Sequence, residues 1–284
     1  MAEQLILSND IIKATFSTKG AELVSIIKDG KEKIWIGDPN VWNSHAPLLF
    51  PICGGLKDDK YIYEGKEYTL QKHGYIRFVE FEVESHSDTK LVFLHRSNSE
   101  TLKNFPFHYE LRVIYTLEDS TLKVDYTVRN LDNTCMYYSI GAHEGYYCPD
   151  GIEAYSIIFD KEENLDSNIL NGNLLEYKTL NVGKNTCEIP LKYEYFAVDA
   201  LVFLNLKSRK VSLKNRKTGV EVGLEFEGND FFLLWTKPEA NYICMEPWCG
   251  CQDFVDSDYD FVNKRGIIKL LAKEEKTKTH KIIF

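Results

Sequence analysis

The sequence predicts an all-β protein built as a large antiparallel sandwich, on three observations. Apolar and polar residues alternate through most of the chain, helical spacing is nearly missing, and strand-favouring aromatics are abundant. Alternation signals a strand with one buried face, because successive side chains leave a strand on opposite sides. In residues 109–117, Tyr109, Leu111, Val113, Tyr115 and Leu117 share one face, and Glu110, Arg112 and Thr116 share the other. After Asp119-Ser120 the pattern resumes inward with Leu122, Val124, Tyr126 and Val128, so the two runs read as a hairpin. A second hairpin is expected over 211–226, turning at 215–219. Shorter strands fit 5–17, 22–28, 33–36, 61–63, 67–69, 80–85, 91–96, 154–159 and 266–272. Only 100–104, stopped by Pro106, suits a helical turn, and no window keeps the i, i+3, i+4, i+7 apolar pattern of a long helix. The 17 Tyr and 16 Phe suit pleated surfaces, and rings of this kind also stack on sugar faces.

The 284 residues are long for one domain, yet all-β sandwiches reach this size as single units, and 1–284 is treated as one. No linker, low-complexity stretch or fixed-period repeat divides it. Residues 164–184 are polar and weakly patterned, and are expected to be a long surface connection.

Composition removes several functions. The formal net charge of −9, with no basic stripe, argues against nucleic-acid binding, which needs clustered Lys and Arg. The short basic cluster at 208–217 falls in the second hairpin and reads as a solvated face. The N-terminus lacks a basic region followed by an apolar core, and no apolar run reaches the roughly 18 residues of a membrane helix. Seven Cys without repeated spacing fit reduced thiols in a cytoplasm better than a disulfide framework. Cys244, Cys249 and Cys251 are close in sequence, but they lack a C-x2-C pair and a neighbouring His, so free thiols are expected and no metal.

Three segments place titratable residues among Gly, Pro and aromatics. His73 precedes Gly74, and Arg77 follows four residues later. This pair could hydrogen-bond a polyol, although a structural His in a turn would look the same. A strand at 137–141 leads to His143 and Glu144 in a Gly-containing loop. His143 could exchange a proton near neutral pH, or it could be a satisfied loop His. A metal reading of His143-Glu144 fails for want of a second His one helical turn away. Glu246 interrupts an apolar strand and precedes Pro247 and Trp248. Desolvation there should raise its pKa toward that of a useful base, and a buried charge without purpose is costly. Two His, one buried Glu and no nucleophile, phosphate or dinucleotide motif suggest acid–base chemistry without a covalent intermediate.

Taken in order, these segments make the chain resemble the galactose mutarotase superfamily, in particular the LacX-type branch of small aldose 1-epimerase-like proteins. The resemblance rests on Gly-Ala-Glu-Leu at 20–23, Pro-Leu-Leu-Phe-Pro at 47–51, His-Gly-Tyr-Ile-Arg at 73–77 and Ser-Ile-Gly-Ala-His at 139–143. It continues through Asp-Ala-Leu-Val-Phe at 199–203, Cys-Met-Glu-Pro-Trp-Cys-Gly at 244–250 and Lys-Arg-Gly-Ile at 264–267. It implies a β-supersandwich with an open cleft on one sheet and interconversion of the anomers of a hexose. Glu246 would be the general base and His143 the general acid. His73, Asp199, Arg77 and Trp248 would contact the sugar, with no metal and no organic cofactor. The partner would be a small sugar, and the protein a monomer or homodimer. Two departures stand out. Gly55 occupies a position where many relatives carry a sugar-binding Arg. Glu144 follows the second His where many carry Pro, and it is expected either to raise the pKa of His143 or to face solvent. A hexose 6-phosphate epimerase and a non-catalytic carbohydrate-binding protein are the alternatives. The first would need converging Lys and Arg, and the second loss of the acid–base pair.

Overall fold

Strand alternation organises the molecule into two large antiparallel sheets. The computed structural model describes residues 2–284. A nine-stranded sheet contains the expected hairpins, Tyr109–Glu118 with Thr121–Asn130 and Lys210–Asn215 with Gly219–Glu225. A seven-stranded sheet carries Tyr242–Cys249 next to one edge, between Phe231–Trp235 on one side and the edge strands Ile140–Gly141 and Glu144–Tyr147 on the other. A four-stranded meander of residues 4–32 and two small two-stranded ribbons complete the architecture.

The main core lies between the large sheets. From the hairpin it takes Leu111, Val113, Leu122 and Val124, and from the seven-stranded sheet Phe232, Leu234, Ile243 and Met245. The intervening residues face the other way. Phe231, Leu233 and Trp248 join one smaller apolar cluster, and Tyr242 and Cys244 join another with Trp35. The second face of this sheet is therefore itself largely apolar. It is here that the site lies.

Several elements differ from expectation, each for a local reason. Residues 5–17 form two strands, Gln4–Ser8 and Ile12–Ser17, because the Asn9 side chain accepts the backbone N–H groups of Ile11 and Ile12 and turns the chain. Strand 33–36 is absent. Glu32 accepts hydrogen bonds from the N–H groups of Ile26, Lys33 and Ile34, so the Ile34 donor goes to a side chain, and only an isolated bridge from Ile34 to Tyr146 remains. The 266–272 strand shrinks to Ile268–Leu270. Glu275–Ile283, not anticipated, pairs with both hairpins and joins them into one sheet. The supposed connection at 164–184 is a hairpin, Asp166–Asn171 with Leu174–Asn181, at the edge of the seven-stranded sheet. An edge strand buries few side chains, here Ser167, Leu170 and Leu175, so its alternation is faint. The helical turn is present at Thr101–Asn104. Among the described residues no helix is long and apolar enough to cross a membrane.

A candidate acid–base site on the seven-stranded sheet

Strand register sets the centre of the site. Gly141 pairs with Trp248, and Glu144 pairs with Met245. Two residues lie between these pairs on each strand, which puts His143 opposite Glu246. Cross-strand neighbours share a face, and His143 Nε2 lies 3.4 Å from a Glu246 carboxylate oxygen. That oxygen has no hydrogen-bond partner although Glu246 is only 1% exposed. The contact is thus not a hydrogen bond, and it leaves lone pairs of that oxygen free for a ligand.

All six residues singled out in the sequence border one cavity of about 300 Å³: His73, Arg77, His143, Asp199, Glu246 and Trp248. That volume is at the small end for ligand sites and suits a single small molecule. His73 arrives on the turn that follows the small ribbon, with positive φ at both His73 and Gly74. A Cβ on Gly74 would stand 2.2 Å from the Phe50 carbonyl oxygen, so only glycine lets this turn pack. His73 Nδ1 accepts the Gly54 N–H at 3.1 Å, which puts the ring proton on Nε2 of the neutral imidazole. Trp248 donates its indole N–H to the Ala142 carbonyl and stands edge-on to His73. Asp199 is held by Lys72 at 3.4 Å. Arg77 donates Nη2 to the Lys72 carbonyl, while its Nε is buried without a partner.

Burial decides the protonation of the centre. Desolvation pushes the Glu246 carboxyl well above the usual carboxylate range; Lys72 opposes this, and Asp199 and Glu144 add to it. Desolvation pulls His143 down to about 3 and holds His73 well below the usual imidazole range. Both members of the dyad therefore resist charge in the empty cavity.

The sequence reasoning missed further lining residues. Lys72 could have been found beside His73. Trp42 and Trp235 pack against the His143 ring at 5.3 and 5.5 Å, and only their being isolated large aromatics could have marked them. Gln252 is nearly fully buried, and its Oε1 has no partner, so its amide is available to a ligand.

Both departures have structural outcomes. Gly55 lies under the turn of the unexpected hairpin, and a Cβ there would meet Asn173 Cβ at 2.7 Å. Asn173 therefore crowds any side chain that would start at position 55. Gly55→Arg is accordingly expected to cost about 1–3 kcal/mol by overpacking, read as a lower urea midpoint, without tightening sugar binding. Glu144 neither faces solvent nor stands beside the His143 ring. Strand alternation sends it through to the main core, where its carboxylate accepts from or pairs with His280 Nε2 at 2.9 Å. The thiols of Cys244, Cys249 and Cys251 are free and buried, whereas Cys187 is exposed.

A two-sheet antiparallel sandwich of this kind has the architecture of galactose mutarotase-like proteins. The structure superposes on a galactose mutarotase related enzyme from Lactobacillus acidophilus with a TM-score of 0.94, at 32% identity over 99% of this chain and 97% of that one. It superposes on a galactose mutarotase-like protein from Lactobacillus casei with a TM-score of 0.93, at 29% identity over 99% of each chain. The chain belongs to the aldose 1-epimerase family, whose model matches residues 3–282. It is 33% identical to the plasmid-encoded protein LacX of Lactococcus lactis subsp. lactis over 97% of both chains. The family and these neighbours support a carbohydrate epimerase.

Proposed function

We propose that the protein is a hexose 1-epimerase in which Glu246 and His143 share one proton. The observation that carries this reading is the 3.4 Å juxtaposition of the two side chains on the floor of a cavity sized for one sugar. Glu246 takes the proton of the anomeric hydroxyl. His143 gives one to the ring oxygen, the bond from that oxygen to C1 breaks, and the aldehyde forms. Rotation about C1–C2 and the reverse transfers close the ring on the other face. Ring opening turns carboxylate and imidazolium into carboxyl and imidazole. This neutral form is the one that burial favours, so the desolvated floor stabilises the open-chain stage. His73, with its proton on Nε2, donates to a hydroxyl, Asp199 accepts from another, Arg77 donates from the rim, and Trp248 offers an apolar edge to the ring.

A free hexose is favoured over its 6-phosphate because Lys72 is committed to Asp199, leaving Arg77 as the cavity's one unpaired cation among the described residues. The free thiols fit a reducing compartment, and we assign the protein to the cytoplasm. Polarimetry of freshly dissolved α-D-glucose and α-D-galactose tests the reading. Catalysed decay of rotation without added metal is expected. No acceleration at high protein concentration, with either sugar, would overturn it.

The pH profile follows from the shared proton. The pair gains a second proton only as His143 titrates, at about 3, and loses its last one only above the raised Glu246 value. We expect kcat/KM to stay level through mildly acid pH and to fall on the alkaline side. An acid limb centred near the ordinary His value of about 6.5 would contradict this assignment.

A further inference from the structure

We propose that the floor of the cavity is also an inhibitory site for a zinc-class divalent cation, held by His143, Cys244 and Glu246. The inhibition rests on the epimerase reading; the binding does not. The spacing of the cysteines along the chain gave no metal site because no His lies near Cys244 in sequence. The fold supplies one. Cys244 and Glu246 are two residues apart on one strand and so share a face, and His143 stands opposite Glu246 on the neighbouring strand. One ligand atom from each of the three residues lies within 4.8 Å of the other two.

The donor set is one imidazole nitrogen, one thiol sulfur and one carboxylate oxygen. Zinc holds such ligands at about 2.0–2.3 Å in a tetrahedron, so the three side chains must turn toward one another to share one ion. A thiolate selects zinc, cobalt or cadmium over magnesium or calcium. Glu246, almost completely buried, directs an oxygen without a hydrogen-bond partner into this space. On its two neighbouring strands Cys244 faces Gly145 and Trp235, with Trp42 and Trp35 packed over Gly145, so an ion reaches the thiol from the cavity side, past His143 and Glu246. The fourth position would open to the cavity, where water binds. Three protein ligands with one open position is the form of a metal that can exchange. Here such an ion would occupy both groups that move the proton, so it and sugar turnover exclude each other.

The test uses the purified, chelator-treated full chain. Cobalt(II) added in steps is expected to produce the near-ultraviolet charge-transfer band of a thiolate ligand at one ion per chain, and zinc should bleach it by displacement. Cys244→Ala, and Cys244→Ser as the closer isostere, should lose the band and weaken zinc binding by at least about tenfold, a loss of ~1.4 kcal/mol. Glu246→Gln should weaken binding through the ligand two residues along the strand. Polarimetry should show zinc competing with sugar, and Cys244→Ala turning over sugar with reduced zinc sensitivity. Cobalt binding without a thiolate band would overturn the proposal, as would a band that survives in both Cys244 variants or no binding to the wild type. The wild-type spectrum decides binding even if a variant does not fold. It also decides binding if the protein interconverts no anomer, an outcome that removes the epimerase reading alone.

Discussion

Glu246→Gln is expected to lower catalysed anomer interconversion by about 10²–10⁴-fold, and His143→Asn by a similar factor, with sugar binding largely kept. Gln preserves the shape and a hydrogen-bonding oxygen but cannot take a proton. Asn at 143 can donate a hydrogen bond but cannot carry the proton to the ring oxygen. Because the two groups pass one proton between them, the effects should not add. The double variant should be about as slow as the slower single one. Polarimetry measures the rate, and calorimetric titration with galactose measures the binding. Equal losses in kcat and kcat/KM are expected, since the missing transfers act on the transition state rather than on the bound sugar. Two single losses that multiply in the double variant would mean independent roles and would break up the dyad. Retained activity in Glu246→Gln would remove Glu246 as the base.

The buried Glu246 was legible in the sequence for a physical reason. A carboxylate within the apolar run 242–249 must either be paired or have a use, and its cost makes it conspicuous. The large hairpins were legible because each has one buried and one wet face, as Leu111 and Arg112 show. Legibility fails where that contrast fails. The strand Glu275–Ile283 lies inside a sheet, yet its first five residues include no large apolar side chain, so it reads as solvent-exposed chain. Residues 164–184 lie at a sheet edge and bury too few side chains to alternate clearly. That hairpin supplies both Leu170 to the cavity wall and Asn173 above Gly55, so the crowding at Gly55 is equally illegible in the sequence. Trp42 and Trp235 touch His143 from segments far from it in sequence, and nothing local marks such a contact.

Glu144 shows how one residue of register changes a role. Its neighbour His143 faces the cavity, whereas Glu144 crosses the sheet into the main core and meets His280 from the opposite sheet. Both side chains are almost fully buried, and the second Glu144 oxygen has no hydrogen-bond partner. The pair therefore joins the two sheets at a point where apolar packing would otherwise be continuous. Removing one member strands the other. Glu144→Leu and His280→Leu are each expected to destabilise the fold by about 3–5 kcal/mol in urea unfolding. The double variant should recover much of that loss, because it buries no polar group without a partner. Double-variant destabilisation equal to the sum of the singles would show that the two side chains do not act on each other. The same substitution carries a signal at the site. Glu144 is among the groups that raise the Glu246 carboxyl, acting from behind the sheet. Its removal should let Glu246 give up its proton more easily, so the alkaline limb of kcat/KM in Glu144→Leu should move to lower pH. The double variant, refolded to near wild-type stability, should keep that displacement. A limb that returns with stability would mean that Glu144 affects catalysis only by holding the sheets together. A limb that stays displaced would mean that a carboxylate in the core sets the proton affinity of one in the cavity.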